Sequence, residues 1–155
     1  MRFFPRTRDI VVSRVEEIVA AAPDRALTIR LVIKDIEEAL IETRGAEARL
    51  LHQARDMDRK IVEADQVQQR LTDEARSALA SDREDFARRA LSEKYESLSQ
   101  AAELGQRTGI LEAKADGIAV EVQRLEAVLS AAKAWQPSEV DGPPEGAPPF
   151  AGPEG

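Results

Sequence analysis

The sequence predicts an all-α fold: a long antiparallel coiled-coil helical hairpin with a short N-terminal amphipathic helix and a disordered, acidic tail. Only 4% of the 155 residues are aromatic, whereas β-strands favour aromatic and β-branched side chains. Charged residues make up 33% of the chain, which is too polar for a protein embedded in a membrane. Apolar residues also recur at helical spacing over most of the chain, which is typical of paired long helices.

A heptad pattern predicts the first long helix. Apolar residues recur at alternating steps of four and three over residues 29–78, without a Pro, and Gly45 costs only about 1 kcal/mol relative to Ala. Because Pro suits the first turn of a helix, we expect this helix to start near Pro23 and to end near residue 80. The predicted seam is Ile29, Ile33, Ile36, Leu40, Thr43, Glu47, Leu50, Ala54, Met57, Ile61, Ala64, Gln68, Leu71, Ala75 and Ala78.

A second long helix is predicted over about residues 82–135. Ser81 and Glu84 have the spacing of a capping box, in which each side chain would accept a backbone N–H of the other residue. Two helices of similar length joined by so short a turn are expected to fold back on each other. The predicted seam is Ala87, Leu91, Lys94 or Tyr95, Leu98 and Ala101, followed after a phase shift by Leu104, Thr108, Leu111, Ala115, Ile118, Val122, Leu125, Leu129 and Ala132.

The phase shift coincides with Gly105 and Gly109. Two glycines together cost a helix about 2 kcal/mol relative to Ala. We interpret them as a soft joint or local unwinding of the coiled coil. The alternative is a hinge or a surface that a neighbouring chain approaches closely.

The last twenty residues form the predicted tail, residues 136–155. Ten of them are Pro or Gly, four are acidic and none is basic, so we expect disorder. The chain thus divides into an N-terminal segment (1–22), a hairpin (23–135) and a tail. The net charge of −7 argues against nucleic-acid binding, which needs a concentrated basic face.

The N-terminal segment, residues 1–22, combines an apolar helical stripe with basic residues. Acidic and basic residues interrupt the stripe, so it predicts neither a signal peptide nor a spanning helix. One interpretation is insertion into the interface of an anionic bilayer. The alternative, weighed equally, is packing on the hairpin or on a second subunit. The candidate membrane-binding residues are Arg2, Phe3, Phe4, Arg6, Arg8, Val11, Arg14, Val15 and Ile18.

No pattern indicates catalysis or a bound cofactor. The chain has no Cys and one His, so neither a thiolate site nor a histidine cluster for a metal is expected. His52 is expected to face solvent on the first long helix. We therefore predict a protein that is not an enzyme, with no catalytic, cofactor-binding or metal-binding residues.

Three stretches resemble phage-shock protein A and its relatives, the inner-membrane-associated and vesicle-inducing proteins of bacteria and plastids. RDIVVSRVEEIV (8–19) is similar to the family's amphipathic start, and RLVIKDIEEALIETR (30–44) to the opening of its first long helix. REDFARRALSEK (83–94) resembles the family's most specific stretch, at the hairpin turn. The resemblance spans about residues 3–134.

The resemblance implies a bacterial protein that is cytoplasmic and peripheral on the inner face of the inner membrane, with the ESCRT-III-like hairpin fold. It implies anionic lipids as partners, homo-oligomers that maintain membrane integrity, and, in one branch, inhibition of an AAA+ transcriptional activator. Family members usually continue into further helices, whereas this chain passes from Trp135 into the tail, as a short form. We therefore expect small oligomers, with rods only alongside a longer paralogue.

The hairpin turn is the candidate protein-binding site. The residues proposed to contact a partner are Arg83, Phe86, Arg88 and Arg89, although a charged turn is more often simply solvated. Trp135 is expected to pack near the base of the hairpin, with a partner contact as the alternative.

The leading functional hypothesis is a membrane-stress protein that binds the inner membrane and self-assembles. The alternatives are a hairpin regulator of an AAA+ activator and a generic coiled-coil scaffold. Self-assembly is expected because a two-helix hairpin leaves apolar edges in need of a cover. The edges named for this are Ile41, Leu51, Val62, Val67 and Ile110.

Overall fold

The structure, a computed structural model, describes residues 2–135. A 3-10 turn at Thr7–Asp9 leads into three α-helices: α1 (Val12–Ala21), α2 (Arg25–Ala80) and α3 (Glu84–Ala134). The described residues contain no strand, and the prediction of an all-α helical hairpin is confirmed. The predicted tail lies outside the described residues, and the three-part division of the chain stays a prediction.

The first long helix begins two residues after the predicted start. Asp24 precedes α2, and its Oδ1 accepts a hydrogen bond from the Leu27 N–H at 3.1 Å. This contact satisfies one of the N–H groups that a helix start leaves without an intrahelical partner. Pro23 therefore lies just outside the helix rather than in its first turn.

The predicted seam of α2 is confirmed along its whole length. All fifteen positions from Ile29 to Ala78 are buried or half-buried, including the polar Thr43, Glu47 and Gln68. Ile29 and Ile36 are almost completely shielded from solvent, at 1% and 0% exposure. The seam is therefore the face on which α2 meets the rest of the fold.

The turn between α2 and α3 is closed by the end of α2, which corrects the predicted capping box. The Arg83 N–H donates to the Ala78 carbonyl at 2.8 Å and the Asp82 N–H to the Leu79 carbonyl at 3.2 Å. This pair of bonds is a Schellman motif, and Asp82 takes its left-handed position with φ 54°. Because α3 begins only at Glu84, Ser81 terminates the first helix and does not cap the second.

A single heptad register runs along α3, so the predicted phase shift is wrong. Leu91 and Leu98 are 39% and 42% exposed. A heptad register shifts only where residues are inserted into the repeat. The long second half of the α3 seam therefore determines the register of the first half as well. The positions of this register, all of which are buried or half-buried, are Ala87, Ala90, Lys94, Ser97, Ala101, Leu104, Thr108, Leu111, Ala115, Ile118, Val122, Leu125, Leu129 and Ala132.

The helix α3 is also continuous through Gly105 and Gly109. The interpretation of these glycines as a site of local unwinding is therefore wrong. Both lie at exposed positions, away from the seam.

The described chain forms two compact units, one containing the chain up to Ile41 and from Gln123 onward, the other Glu42–Val122. In the second unit, a small core near the turn is formed by Leu71, Ala75, Ala87 and Ala90. Farther from the turn, the seam contains two polar residues, Gln68 and Ser97. The Gln68 side-chain amide donates to Ser97 Oγ at 3.3 Å, and the Ser97 hydroxyl donates to the Ala64 carbonyl at 3.4 Å.

The predicted apolar edges differ in exposure. Ile41, Val62 and Ile110 are 70%, 58% and 56% exposed, as expected for edges outside the seam. Leu51 and Val67 are half-buried. Exposed apolar side chains therefore remain on both long helices.

The turn geometry predicts the effect of substitutions at Asp82. Gly occupies the left-handed region without a steric cost, so Asp82→Gly should stabilise the protein by about 0.5–1 kcal/mol, whereas Asp82→Val should destabilise it by about 1–2 kcal/mol. Ser81→Ala serves as the control and should change the free energy of unfolding little. Urea unfolding followed by circular dichroism measures all three, and a loss of about 1 kcal/mol in Ser81→Ala would restore the capping-box model.

Candidate functional site

The N-terminal segment, the candidate membrane-binding region, is packed within the first compact unit. Phe4 and Val15 are 6% and 0% exposed, and Ile10 is 2% exposed. Phe3, Val11 and Ile18 are half-buried. The apolar side of the segment thus faces protein in this state, which is the packing alternative considered above.

The basic side of the same segment faces solvent. Arg2, Arg6, Arg8 and Arg14 are all exposed. Arg14 lies 3.9 Å from Glu17 one turn on, and both side chains are more than half exposed. An ion pair so exposed contributes little to stability. The arrangement therefore presents positive charge outward while the apolar groups are covered.

Hydrogen bonds from both long helices hold this segment. The Phe3 N–H donates to Asp35 Oδ2 on α2 at 2.7 Å. On α3, the Arg124 guanidinium donates to the Thr7 carbonyl at 2.6 Å and also to the Ile10 carbonyl. Hydrogen bonds to a charged group contribute about 1.5–3 kcal/mol each, so Arg124 and Asp35 anchor the segment to the two long helices.

Two buried residues outside the heptad seams complete the site. Val32 on α2 and Val128 on α3 are 0% and 4% exposed, although neither lies at a seam position. An off-seam side chain of a two-helix pair would face solvent, so these two valines indicate a third packing layer. The N-terminal segment, anchored to α2 and α3 within this unit, supplies that layer.

Sequence reasoning missed Arg124, Asp35 and Ile10 as parts of this site. Arg124 and Asp35 bind backbone groups of the segment, and such contacts leave no recognisable side-chain pattern. The sequence offers one indication of their role, which is that each precedes a buried seam residue: Arg124 precedes Leu125, and Asp35 precedes Ile36.

The single Trp of the chain lies close to the same segment. Trp135 is half-buried and lines a shallow surface hollow together with Glu16, Val19 and Ala20 of α1 and Arg25 of α2. Trp135 thus lies beside α1 at the end of α3.

The hairpin turn exposes the residues predicted to bind a partner. Phe86 is 57% exposed, and the guanidinium carbons of Arg83 and Arg89 lie 5.7 and 5.8 Å from its ring centroid. Cation–π contacts at exposed sites contribute about 0.5–1 kcal/mol each, so they orient the ring without burying it. Arg88 instead lies 3.8 Å from Glu84 on its own helix.

The described residues offer no arrangement for metal chemistry. Residues 2–135 contain no group of three or more His, Cys, Asp or Glu placed to hold a metal ion. His52 is 72% exposed and lies 3.4 Å from Asp56, as expected for a solvent-facing side chain. None of the helices in this part of the chain is both long and apolar enough to cross a membrane.

A comparison with protein families supplies the identity that the geometry alone leaves open. The model of the PspA/IM30 family matches residues 2–137, which include every residue that the structure describes. The resemblance carried by the three stretches is thereby confirmed, and this family is known as non-enzymatic. The chain belongs to the PspA/IM30 family, the phage-shock protein family with a general role in the response to membrane stress.

Proposed function

We propose that the protein binds the inner face of the bacterial inner membrane peripherally, through an N-terminal segment that leaves its docked position, and that it self-assembles there to maintain membrane integrity. The observation that carries the proposal is the two-sided character of this segment. Phe4, Ile10 and Val15 are buried against protein, whereas its four arginines are exposed. A segment of this kind can exchange a protein surface for a lipid surface.

Release of the segment has a definite cost. It breaks the hydrogen bonds of Arg124 and Asp35 with the segment's backbone. It also uncovers Val32 and Val128, which are buried in the docked state. Phe4 and Val15 lose no burial overall, because they move from a protein core to the acyl region of the bilayer.

Part of the gain comes from charge. The four arginines of the segment outnumber its three acids, Asp9, Glu16 and Glu17, so an anionic membrane surface attracts the segment. Phe3, Val11 and Ile18, half-buried in the docked state, gain further burial in the bilayer interface. A neutral membrane lacks the electrostatic term, so we expect binding to require anionic lipid and to weaken as salt is added.

Charge variants with matched surroundings test the electrostatic part. Arg14 and Arg76 are both exposed and each lies within 4 Å of an acid three residues away, Glu17 or Asp73. Arg14→Gln should weaken binding to anionic liposomes about fivefold, corresponding to about 1 kcal/mol, and Arg76→Gln should leave it unchanged. Liposome flotation measures both variants. Equal behaviour of the two, or equal binding of the wild type to neutral liposomes, would contradict the proposal.

Arg124→Gln tests release of the segment. If docking competes with membrane binding, losing even one of the two Arg124 hydrogen bonds, worth at least about 1.5 kcal/mol, should tighten binding to anionic liposomes at least about tenfold. Hydrogen exchange without lipid should also show faster exchange in residues 2–22 and no change near the turn. The control is Arg107→Gln, an exposed arginine of α3 in the other compact unit. Faster exchange without tighter binding would show that release does not limit membrane binding.

A second candidate function is binding and inhibition of an AAA+ transcriptional activator by the hairpin. It is favoured by Phe86, an exposed aromatic ring between two arginines, since aromatic and arginine side chains are enriched at binding hot spots. A protein partner that buries this ring would bind the turn and leave the N-terminal segment unaffected. A longer paralogue is an additional candidate partner for assembly.

Phe86→Ala tests this second function. It should weaken binding to the AAA+ activator about 30-fold, the effect of losing a hot spot worth about 2 kcal/mol. Ile110→Ala is a matched control, because Ile110 is 56% exposed and lies away from the turn. Pull-down and titration with the AAA+ activators of the source bacterium provide the measurement. Unchanged affinity in Phe86→Ala would exclude the turn as the contact.

A further inference from the structure

The outer face of α3 carries a second heptad series that no part of the described chain covers. Its positions follow steps of four and three, and all six are exposed: Leu91, Tyr95, Leu98, Ala102, Gly105 and Gly109. Tyr95 is 72% exposed, and Leu91 and Leu98 are 39% and 42% exposed. The face therefore has the spacing of a coiled-coil seam without a partner helix.

The exposure of Leu91 and Leu98 contrasts with the residues that occupy the inner seam of α3 nearby. Lys94 and Ser97 occupy inner positions, where they are half-buried, although Leu91 and Leu98 stand only one or three residues away along the helix. A hairpin that existed only as a monomer would be more stable with leucines at the inner positions 94 and 97. The larger apolar side chains are instead placed on the outside, which is typical of a surface for association.

The series is divided by size. Its first half contains the large residues, Leu91, Tyr95 and Leu98, and its second half the small ones, Ala102, Gly105 and Gly109. If a second copy of α3 lies antiparallel across this face, with the two-fold axis near residue 100, then Leu91 faces Gly109, Tyr95 faces Gly105 and Leu98 faces Ala102. Every layer then joins a large side chain to a small one, which is the condition for interdigitated packing.

We propose that this face of α3 is a two-fold, antiparallel contact between two copies of the chain. The contact is self-complementary, as a two-fold interface must be, because each copy supplies both halves. The inference rests on the self-association in the proposed function and names the surface that mediates it. It also assigns Gly105 and Gly109 the close-approach role that was the alternative to a joint.

The surroundings of the glycines support this contact. A Cβ added at Gly105 or Gly109 would meet no atom within 4 Å, so nothing inside the chain requires glycine there. Glycine is unfavourable in an exposed helix interior relative to alanine, which makes two unforced glycines on one face informative. In the antiparallel pair, the vacant space receives Tyr95 and Leu91 of the second copy.

The residues beside the outer face are also suited to a second copy. On the side away from the inner seam, the flanking positions are Ser92, Ser99 and Gln106, none of which is charged. Like charges at such flanking positions would repel a second copy, and charged residues are depleted from the cores of protein interfaces. The antiparallel pair thus brings no like charges together along that edge.

The size of the face limits the strength of the contact. Residues 91–109 span about 27 Å of helix at 1.5 Å per residue, with a width of about 10 Å. Such a strip falls below the ~1,200 Å² that stable specific interfaces bury. We therefore expect association that depends on concentration rather than a permanent dimer.

Cysteine pairs test the orientation, because the chain has no cysteine of its own. Under mild oxidation, a mixture of Tyr95→Cys and Gly105→Cys chains should form a mixed disulfide between chains, while neither chain alone should form one efficiently. A parallel contact would instead cross-link each variant with itself. The control mixture is Gln69→Cys with Arg107→Cys, both exposed positions away from the outer face, which should not cross-link.

Sedimentation separates this inference from the broader proposal. Gly105→Leu should weaken concentration-dependent association at least tenfold, whereas Gly117→Leu, at another exposed helical glycine with open surroundings, should leave it unchanged. Association that persists in Gly105→Leu without the mixed disulfide would overturn this face alone. A wild-type chain that stays monomeric up to millimolar concentration would overturn the self-association in the proposed function as well.

Discussion

The heptad register of the two long helices is the constraint on which the rest of the structure depends. The seam residues from Ile29 to Ala78 on α2 and from Ala87 to Ala132 on α3 form the inner faces of the two helices. Because the helices are continuous, these positions determine which face of the helix every other residue occupies. The register is maintained through a polar layer, where Gln68 and Ser97 hydrogen-bond instead of packing as apolar residues. Because α3 is continuous, Ser97 occupies the inner face and Leu98 does not, although larger apolar side chains are more often buried.

The same register creates the site that the N-terminal segment occupies. Asp35 and Arg124 stand beside seam residues, so their side chains reach the neighbouring face, where they bind the segment's backbone. Val32 and Val128 lie on that face and are buried there. Under the proposed function, the segment exchanges this site for a lipid interface, and the balance between the two depends on the charge of the membrane.

Much of the fold could be predicted from the sequence, because a long seam repeats its signal many times. The α2 seam was predictable down to its polar members, and so was the second half of the α3 seam, from Leu104 to Ala132. The first half of the α3 seam was not, because the larger Leu91 and Leu98 stand beside the smaller residues that occupy the inner face. The prediction that Ser81 caps α3 was wrong, because Asp82 adopts the left-handed backbone conformation and closes the turn from the α2 side. The anchors Arg124 and Asp35 were not predicted, because contacts with backbone groups leave no recognisable pattern of side chains in the sequence.

The exposure of neighbouring residues on α3 tests the single register most directly. Ser97→Cys and Leu98→Cys are introduced separately into a chain without other cysteines, and the rate of maleimide labelling is measured at low protein concentration. The continuous register predicts slower labelling at position 97, which is half-buried, than at position 98, which is 42% exposed. Faster labelling at 97 than at 98 would contradict it, and with it the outward placement of Leu91, Tyr95 and Leu98.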